Sequence, residues 1–227
     1  MHKAFEVWNN GAESLESVEF RIHDGVPLSL LRQRGQAYVR DMFRLFPHVN
    51  VAKDAVVVEV GPGVGYIMQA FIELTDVSRV TGLDVAPAMI ERARQRLDRD
   101  RVPAERFEFV LYDGATFPFA DDCIDVFYSV ATIQHIPKPY AYNVVLEMQR
   151  CLKPGGNALV HLLSWELLSL HDFSFSDEVR RQVDGQVTHW HHFYDRVELE
   201  ALMKHGVKPS SHSVVEEGAS IWVAWTK

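Results

Sequence analysis

Cysteine is almost missing from this 227-residue chain, which carries only Cys123 and Cys151. Two thiols give no disulfide framework and no zinc knuckle. Long apolar runs are missing too, and none approaches the roughly 20 residues that cross a bilayer. Met1-His2-Lys3-Ala4-Phe5-Glu6 lacks the basic-then-apolar order of a secretory leader. The expected setting is therefore reducing and cytoplasmic, without membrane insertion. Repeats and low-complexity tracts do not occur. Positive charge is not in excess, since the formal net charge is −8 at pH 7. The most basic stretch, Arg92 to Arg101, is diluted by Glu91, Asp98 and Asp100, and reads as a solvated helix face. This balance argues against a nucleic-acid backbone as partner and favours a small or neutral one.

What the chain does have is ordinary globular composition, 47% hydrophobic and 24% charged. Its length suits one α/β domain. Leu28 to Phe46 carries apolar residues at helical spacing and ends before Pro47. Ala55 to Val60 is a β-branched run without alternation, as expected of a strand buried on both faces. The spacing then predicts a helix over Tyr66–Leu74, a strand over Arg79–Leu83 and a helix over Pro87–Arg99. Strands over Phe107–Leu111 and Cys123–Val130 follow, then a helix over Tyr140–Leu152 stopped by Lys153-Pro154-Gly155-Gly156, and a strand over Asn157–Ser164. Strand–helix alternation of this kind predicts a parallel sheet wrapped on both faces. After Ser164 the pattern breaks into an aromatic, His-rich stretch. It resumes with a helix over Asp195–His205, Asp195 serving as N-cap, and a terminal hairpin of Ser211–Glu217 and Ile221–Thr226.

The chemistry concentrates at Glu59-Val60-Gly61-Pro62-Gly63-Val64-Gly65, between the first strand and its helix. Open α/β sheets bind ligands at such strand ends. The glycines allow positive φ and close approach of a ligand to the backbone. Asp84 closes the second strand and is suited to accept from a ribose diol. Dinucleotide binders favour G-x-G-x-x-G, which seats a pyrophosphate. The tighter spacing here, with Glu59 alongside, better suits a nucleoside carrying an ammonium and a sulfonium.

With these residues in place, the chain resembles the class I S-adenosylmethionine-dependent methyltransferases, in particular their small-molecule branch. The resemblance rests on the segment just quoted together with Gly82-Leu83-Asp84, Tyr112-Asp113-Gly114-Ala115, Phe117-Pro118-Phe119, Ile124-Asp125-Val126 and Leu152-Lys153-Pro154-Gly155-Gly156. It implies a Rossmann-like, doubly wound, mostly parallel sheet with a C-terminal antiparallel hairpin, in a single domain. Residues 1–50 would form a helical cap, 55–164 the cofactor-binding core, 165–192 a lid-like insert facing the acceptor, and 195–227 the last helix and hairpin. The cofactor implied is S-adenosylmethionine, leaving as S-adenosylhomocysteine. The resemblance places Glu59, Gly61, Gly63 and Gly65 along the methionine portion and Asp84 on the ribose. Asp113 and Gly114 would meet the adenine, and the Ser129 carbonyl the ammonium. Read without the resemblance, Asp84 is equally a helix cap and Asp113 a turn cap beside Gly114.

Methyl transfer needs alignment more than side-chain chemistry. His135, in Thr132-Ile133-Gln134-His135-Ile136-Pro137, follows the fourth strand and is the candidate base for a hydroxyl or amine acceptor. His189, His191 and Tyr194 are candidate acceptor contacts. The cluster His189-Trp190-His191-His192 lacks acids or cysteines at ligand spacing, so no metal site is expected. The fourth strand ends in Ser129-Val130-Ala131-Thr132 rather than the Asn/Asp-Pro-Pro-aromatic turn of enzymes acting on exocyclic amines of DNA bases. Two alternatives stay open: an NAD(P)-dependent reductase, which would want longer glycine spacing and a Tyr-x-x-x-Lys pair, and a non-catalytic cofactor-binding relative. A homo-oligomer is also left open.

Overall fold

A computed structural model describes residues 28–167, 176, 179–180, 183 and 191–227. The part of the expected helical cap before residue 28, and most of the 165–192 insert with His189, lie outside the described residues. The chain runs α1 (Leu28–Leu45), β1 (Val57–Val60), α2 (Tyr66–Leu74), β2 (Val80–Asp84), α3 (Pro87–Arg99) and β3 (Phe107–Leu111). It continues with β4 (Ile124–Val130), α4 (Lys138–Cys151), β5 (Leu152–Ser164), β6 (Phe193–Tyr194), α5 (Arg196–Ala201), β7 (Ser211–Glu217) and β8 (Ser220–Thr226). The sheet order is β3-β2-β1-β4-β5-β8-β7. Strands β1 to β5 pair in parallel, whereas β8 is antiparallel to both β5 and β7. This is the expected Rossmann-like sheet with its terminal hairpin on one side.

Each face has its own core. Val39 and Met42 of α1, Phe46 just beyond it and the buried side of α2 pack with Val57, Tyr128, Leu159 and Trp222 on one face. On the other, Val144 and Met148 of α4 and Leu199 of α5 pack with Val58, Val60, Phe127, Val160 and Trp225. Alternate residues of β1 and β4 serve opposite faces, as the pleat requires, so strands covered on both sides read as unbroken apolar runs. Asp195 caps α5, its Oδ1 accepting from Glu198 N at 2.8 Å.

Two expectations are corrected. The solvated reading of Arg92 to Arg101 fails for Arg92 and Arg96, which are 5% and 3% exposed. They lie one turn apart on the inward side of α3, and the Arg96 guanidinium donates to Gln69 Oε1 at 2.6 Å. Strand β5 also starts earlier than the glycines suggest. Leu152 pairs with Ile124, while Gly155 N donates to Lys227 O and Lys227 N to Gly156 O, so pairing with the chain end carries Lys153–Gly156 along the sheet.

The chain leaves β1 for β2 and β3 on one side and returns to β4 on the other. The carboxyl ends of β1 and β4 therefore flank the switch point where such sheets bind ligands.

Candidate active site

The turn after β1 holds Gly61, Gly63 and Gly65 at φ of 71°, 56° and 80°. The first two need glycine for different reasons. A β-carbon on Gly61 would lie 2.0 Å from Thr132 Cγ2, so protein packing itself demands glycine there. On Gly63 it would meet nothing within 4 Å, so this position is the open side of the turn. Gly65 N donates to Pro62 O at 2.8 Å and Gly65 O accepts from Gln69 N at 3.0 Å, launching α2.

Two buried acids line this turn. Glu59, 1% exposed in β1, accepts from the Tyr128 hydroxyl at 3.0 Å. Burial pushes its carboxyl up to about 8, against the pull of the Tyr128 hydrogen bond. Tyr128 is itself fixed by stacking on Phe71, ring centroids 4.5 Å apart and planes 7° apart. Asp84 ends β2 at 8% exposure and accepts from Ala86 N at 3.0 Å. Burial raises it to about 6, with the Ala86 and Val85 amides opposing.

Asp113 is exposed after β3. Its Oδ1 accepts from Thr116 N and Ala115 N, both at 2.8 Å, and these bonds hold the carboxyl below its usual range. Gly114 follows at φ 87°. Helix α4 pins the segment beyond. Asn143 donates to Ala115 O, Glu147 accepts from Phe117 N at 2.8 Å, and the Arg150 guanidinium donates to Phe117 O and Phe119 O at 3.1 and 3.0 Å.

Across the crevice, Ser129 is fully buried in β4 and its hydroxyl donates to Val60 O at 2.9 Å. Ala131 turns the chain at φ 54°, and Ile133–His135 forms a single 3-10 turn. The structure brings His135 and His191 together, with ring centroids 4.8 Å apart. His192 N donates to Gln134 O at 2.7 Å. Strand β6 then extends β5 just beyond the end of β4, pairing Phe193 with Leu163 and Tyr194 with Ser164. Tyr194 is 1% exposed, and Lys138 Nζ lies 4.8 Å from its ring centroid. Lys138 is in turn held by Glu198 at 2.6 Å, which also accepts from the Tyr142 hydroxyl. Among the described residues, no set of three or more His, Cys, Asp and Glu side chains could hold a metal ion.

Sequence reasoning passed over Tyr128, Thr132, Arg96, Gln134 and His192. Tyr128 and Thr132 lie one and three residues from Ser129, but nothing in the linear pattern says that they reach Glu59 and Gly61. A tyrosine in a mostly apolar, buried strand is the signal available, because a buried hydroxyl needs a partner.

Residues 57–156 match a family model described as a methyltransferase domain. The biotin biosynthesis bifunctional protein BioHC of Teredinibacter turnerae is 37% identical over 103 residues, 43% of this chain and 18% of that protein. The sterol 24-C-methyltransferase erg-4 of Neurospora crassa is 31% identical over 137 residues, 60% of this chain and 35% of that protein. The chain spans about half the length, or less, of these curated relatives. Among solved structures, phosphoethanolamine N-methyltransferase 2 of Haemonchus contortus in complex with S-adenosyl-L-methionine superposes with a TM-score of 0.69. It is 13% identical, covering 100% of this chain and 60% of that one. A SAM-dependent methyltransferase of Aquifex aeolicus gives a TM-score of 0.64 at 15% identity, covering 94% and 98%. At such identities the likeness speaks to the fold.

Proposed function

Residues 57–156 match a methyltransferase-domain model, and we propose that this chain is a class I S-adenosylmethionine-dependent methyltransferase that moves a methyl group to oxygen or nitrogen of a small organic acceptor. The observation that carries this reading is the pair of buried acids, Glu59 and Asp84, on either side of a turn that is open at Gly63.

The residues fit the cofactor. A buried carboxyl with a raised pKa is a group waiting for a cation or for donors, and Glu59 and Asp84 offer one of each. Glu59, with the Gly61–Gly65 turn, holds the methionine ammonium, and the Ser129 carbonyl supports it. Asp84 accepts from the ribose hydroxyls. Asp113 and Gly114 border the adenine, and the Arg150–Glu147 bonds keep the Phe117–Phe119 segment in place beside it. When bound, S-adenosylmethionine supplies a methyl already activated by its sulfonium.

What the protein adds is alignment and exclusion of water, effects worth roughly 7–11 kcal/mol together. His135, at the crevice edge beside His191, takes the proton that a hydroxyl or amine acceptor must lose. His191 and Tyr194, with His189, contact the acceptor.

Calorimetric titration with S-adenosylmethionine, S-adenosylhomocysteine and NADPH tests the reading on wild type and Asp84→Ala. Binding of both sulfur nucleosides, weakened at least about tenfold in the variant, is the expected result. Preference for NADPH, or no binding of either sulfur nucleoside, would overturn it.

A further inference from the structure

Buried polar atoms in folded proteins are nearly always hydrogen-bonded, and an exception asks for an explanation. Beside His135, three exceptions occur together: Gln134 Oε1, His192 Nε2 and the Tyr194 hydroxyl are buried and without a partner. Gln134 is 5% exposed and Tyr194 1%. Gln134 and His192 are joined through their main chains at 2.7 Å. His192 and Tyr194 are alternate residues of one extended segment and so share a side. Lys138 ties them further, lying over the Tyr194 ring and acting electrostatically on His192. The three residues carrying these unpartnered atoms come from two chain segments that are hydrogen-bonded to each other beyond the carboxyl end of β4.

We infer that Gln134, His192 and Tyr194 form the acceptor subsite, and that it takes an uncharged, hydroxyl-bearing molecule. This rests on the methyltransferase reading. The chemistry of the three atoms sets the class. Gln134 Oε1 only accepts, so the ligand must bring an O–H or N–H donor. The Tyr194 hydroxyl donates or accepts, and so does a neutral imidazole. Burial first and then Lys138 lower the His192 pKa, with Glu198 opposing, which favours the neutral ring. The neighbouring charges cancel, Lys138 being closed on Glu198 at 2.6 and 2.7 Å. No net charge is left to pay for desolvating an anion or an ammonium. A hydroxyl meets all three partners without charge, which selects oxygen as the attacked atom.

The test uses protein saturated with S-adenosylhomocysteine and three ring probes of different charge: resorcinol, benzoate and benzylamine. Ligand-observed NMR should give resorcinol at least about tenfold tighter binding than the other two. Tyr194→Phe and Gln134→Leu should each weaken resorcinol by about tenfold, the worth of one hydrogen bond. Melting the same variants without ligand gives an independent readout. Removing a polar atom that has no partner should leave the melting temperature unchanged or raise it, whereas a structural hydroxyl would lower it by several degrees. Equal binding of the charged probes, resorcinol binding indifferent to both variants, or a several-degree loss in Tyr194→Phe would each overturn the assignment. A parallel S-adenosylhomocysteine titration separates the readings. Nucleoside binding without selective resorcinol binding defeats the subsite alone, and no nucleoside binding defeats the methyltransferase reading on which it rests.

Discussion

Thr132 grips Gly61 across the sheet's switch point. Its hydroxyl donates to Gly61 O at 2.7 Å, and its methyl occupies the space a β-carbon on Gly61 would need. The turn after β1 and the turn after β4 are thus tied to each other by a hydrogen bond and by packing.

Gly61→Ala and Gly63→Ala should separate fold from function. Gly61→Ala combines positive φ with a clash and should cost several kcal/mol, on the order of 3, seen as a lower midpoint in urea. Thr132→Gly in the same chain should recover part of that loss. Gly63→Ala bears only the left-handed strain, about 1 kcal/mol, yet should weaken S-adenosylhomocysteine by tenfold or more in calorimetry.

Glu59 makes stability and cofactor binding oppose each other with pH. Its carboxyl moves from an ordinary 4.5 to about 8 on folding, and that of Asp84 from 3.8 to about 6. Between those values the folded state holds protons that the unfolded state has released, so ligand-free stability falls as pH rises from about 4 to 8. Glu59→Gln keeps the Tyr128 hydrogen bond and should flatten the upper half of this slope in a melting series. Cofactor affinity runs the other way, strengthening toward pH 8 as the carboxylate forms beside the ammonium. A wild-type melting curve as flat as that of Glu59→Gln would sink the argument.

Arg150 should matter to the cofactor without touching it. Arg150→Met removes its bonds to Phe117 O and Phe119 O and its ion pair with Glu147. The expected outcome is a KM for S-adenosylmethionine raised about fivefold to tenfold with kcat within about twofold, a binding effect rather than a chemical one.

His135→Asn should do the reverse. Removing a positioned base costs about a hundredfold or more in kcat, with S-adenosylhomocysteine affinity unchanged by calorimetry. An equal loss in KM would assign His135 to packing.

Element order, the glycine turn and the acids at the ends of β1 and β2 were all legible from the chain alone. The reason is local. A strand covered on both faces needs a mostly apolar run such as Val57–Val60 or Ile124–Val130, broken only by Glu59, Asp125 and Ser129, and a turn with repeated positive φ selects glycine. Asp195 announced its helix for the same reason, because a cap bonds within one turn. Partnership across the sheet has no local signature. That is why the charge pattern around Arg96 points to solvent although Arg96 reaches Gln69, and why the glycines before Asn157 hide the earlier start of β5, whose first residues pair with Ile124 and Lys227. It is also why Gln134, His192 and Tyr194 were not joined. They come from segments some sixty residues apart, and only β6 docking beside β5 brings them to one place. The sequence alone determined which elements form and where the glycine turn and its acids lie along the chain. The tertiary structure decided which buried polar atoms find partners and which do not, since burial and pairing are properties of packing.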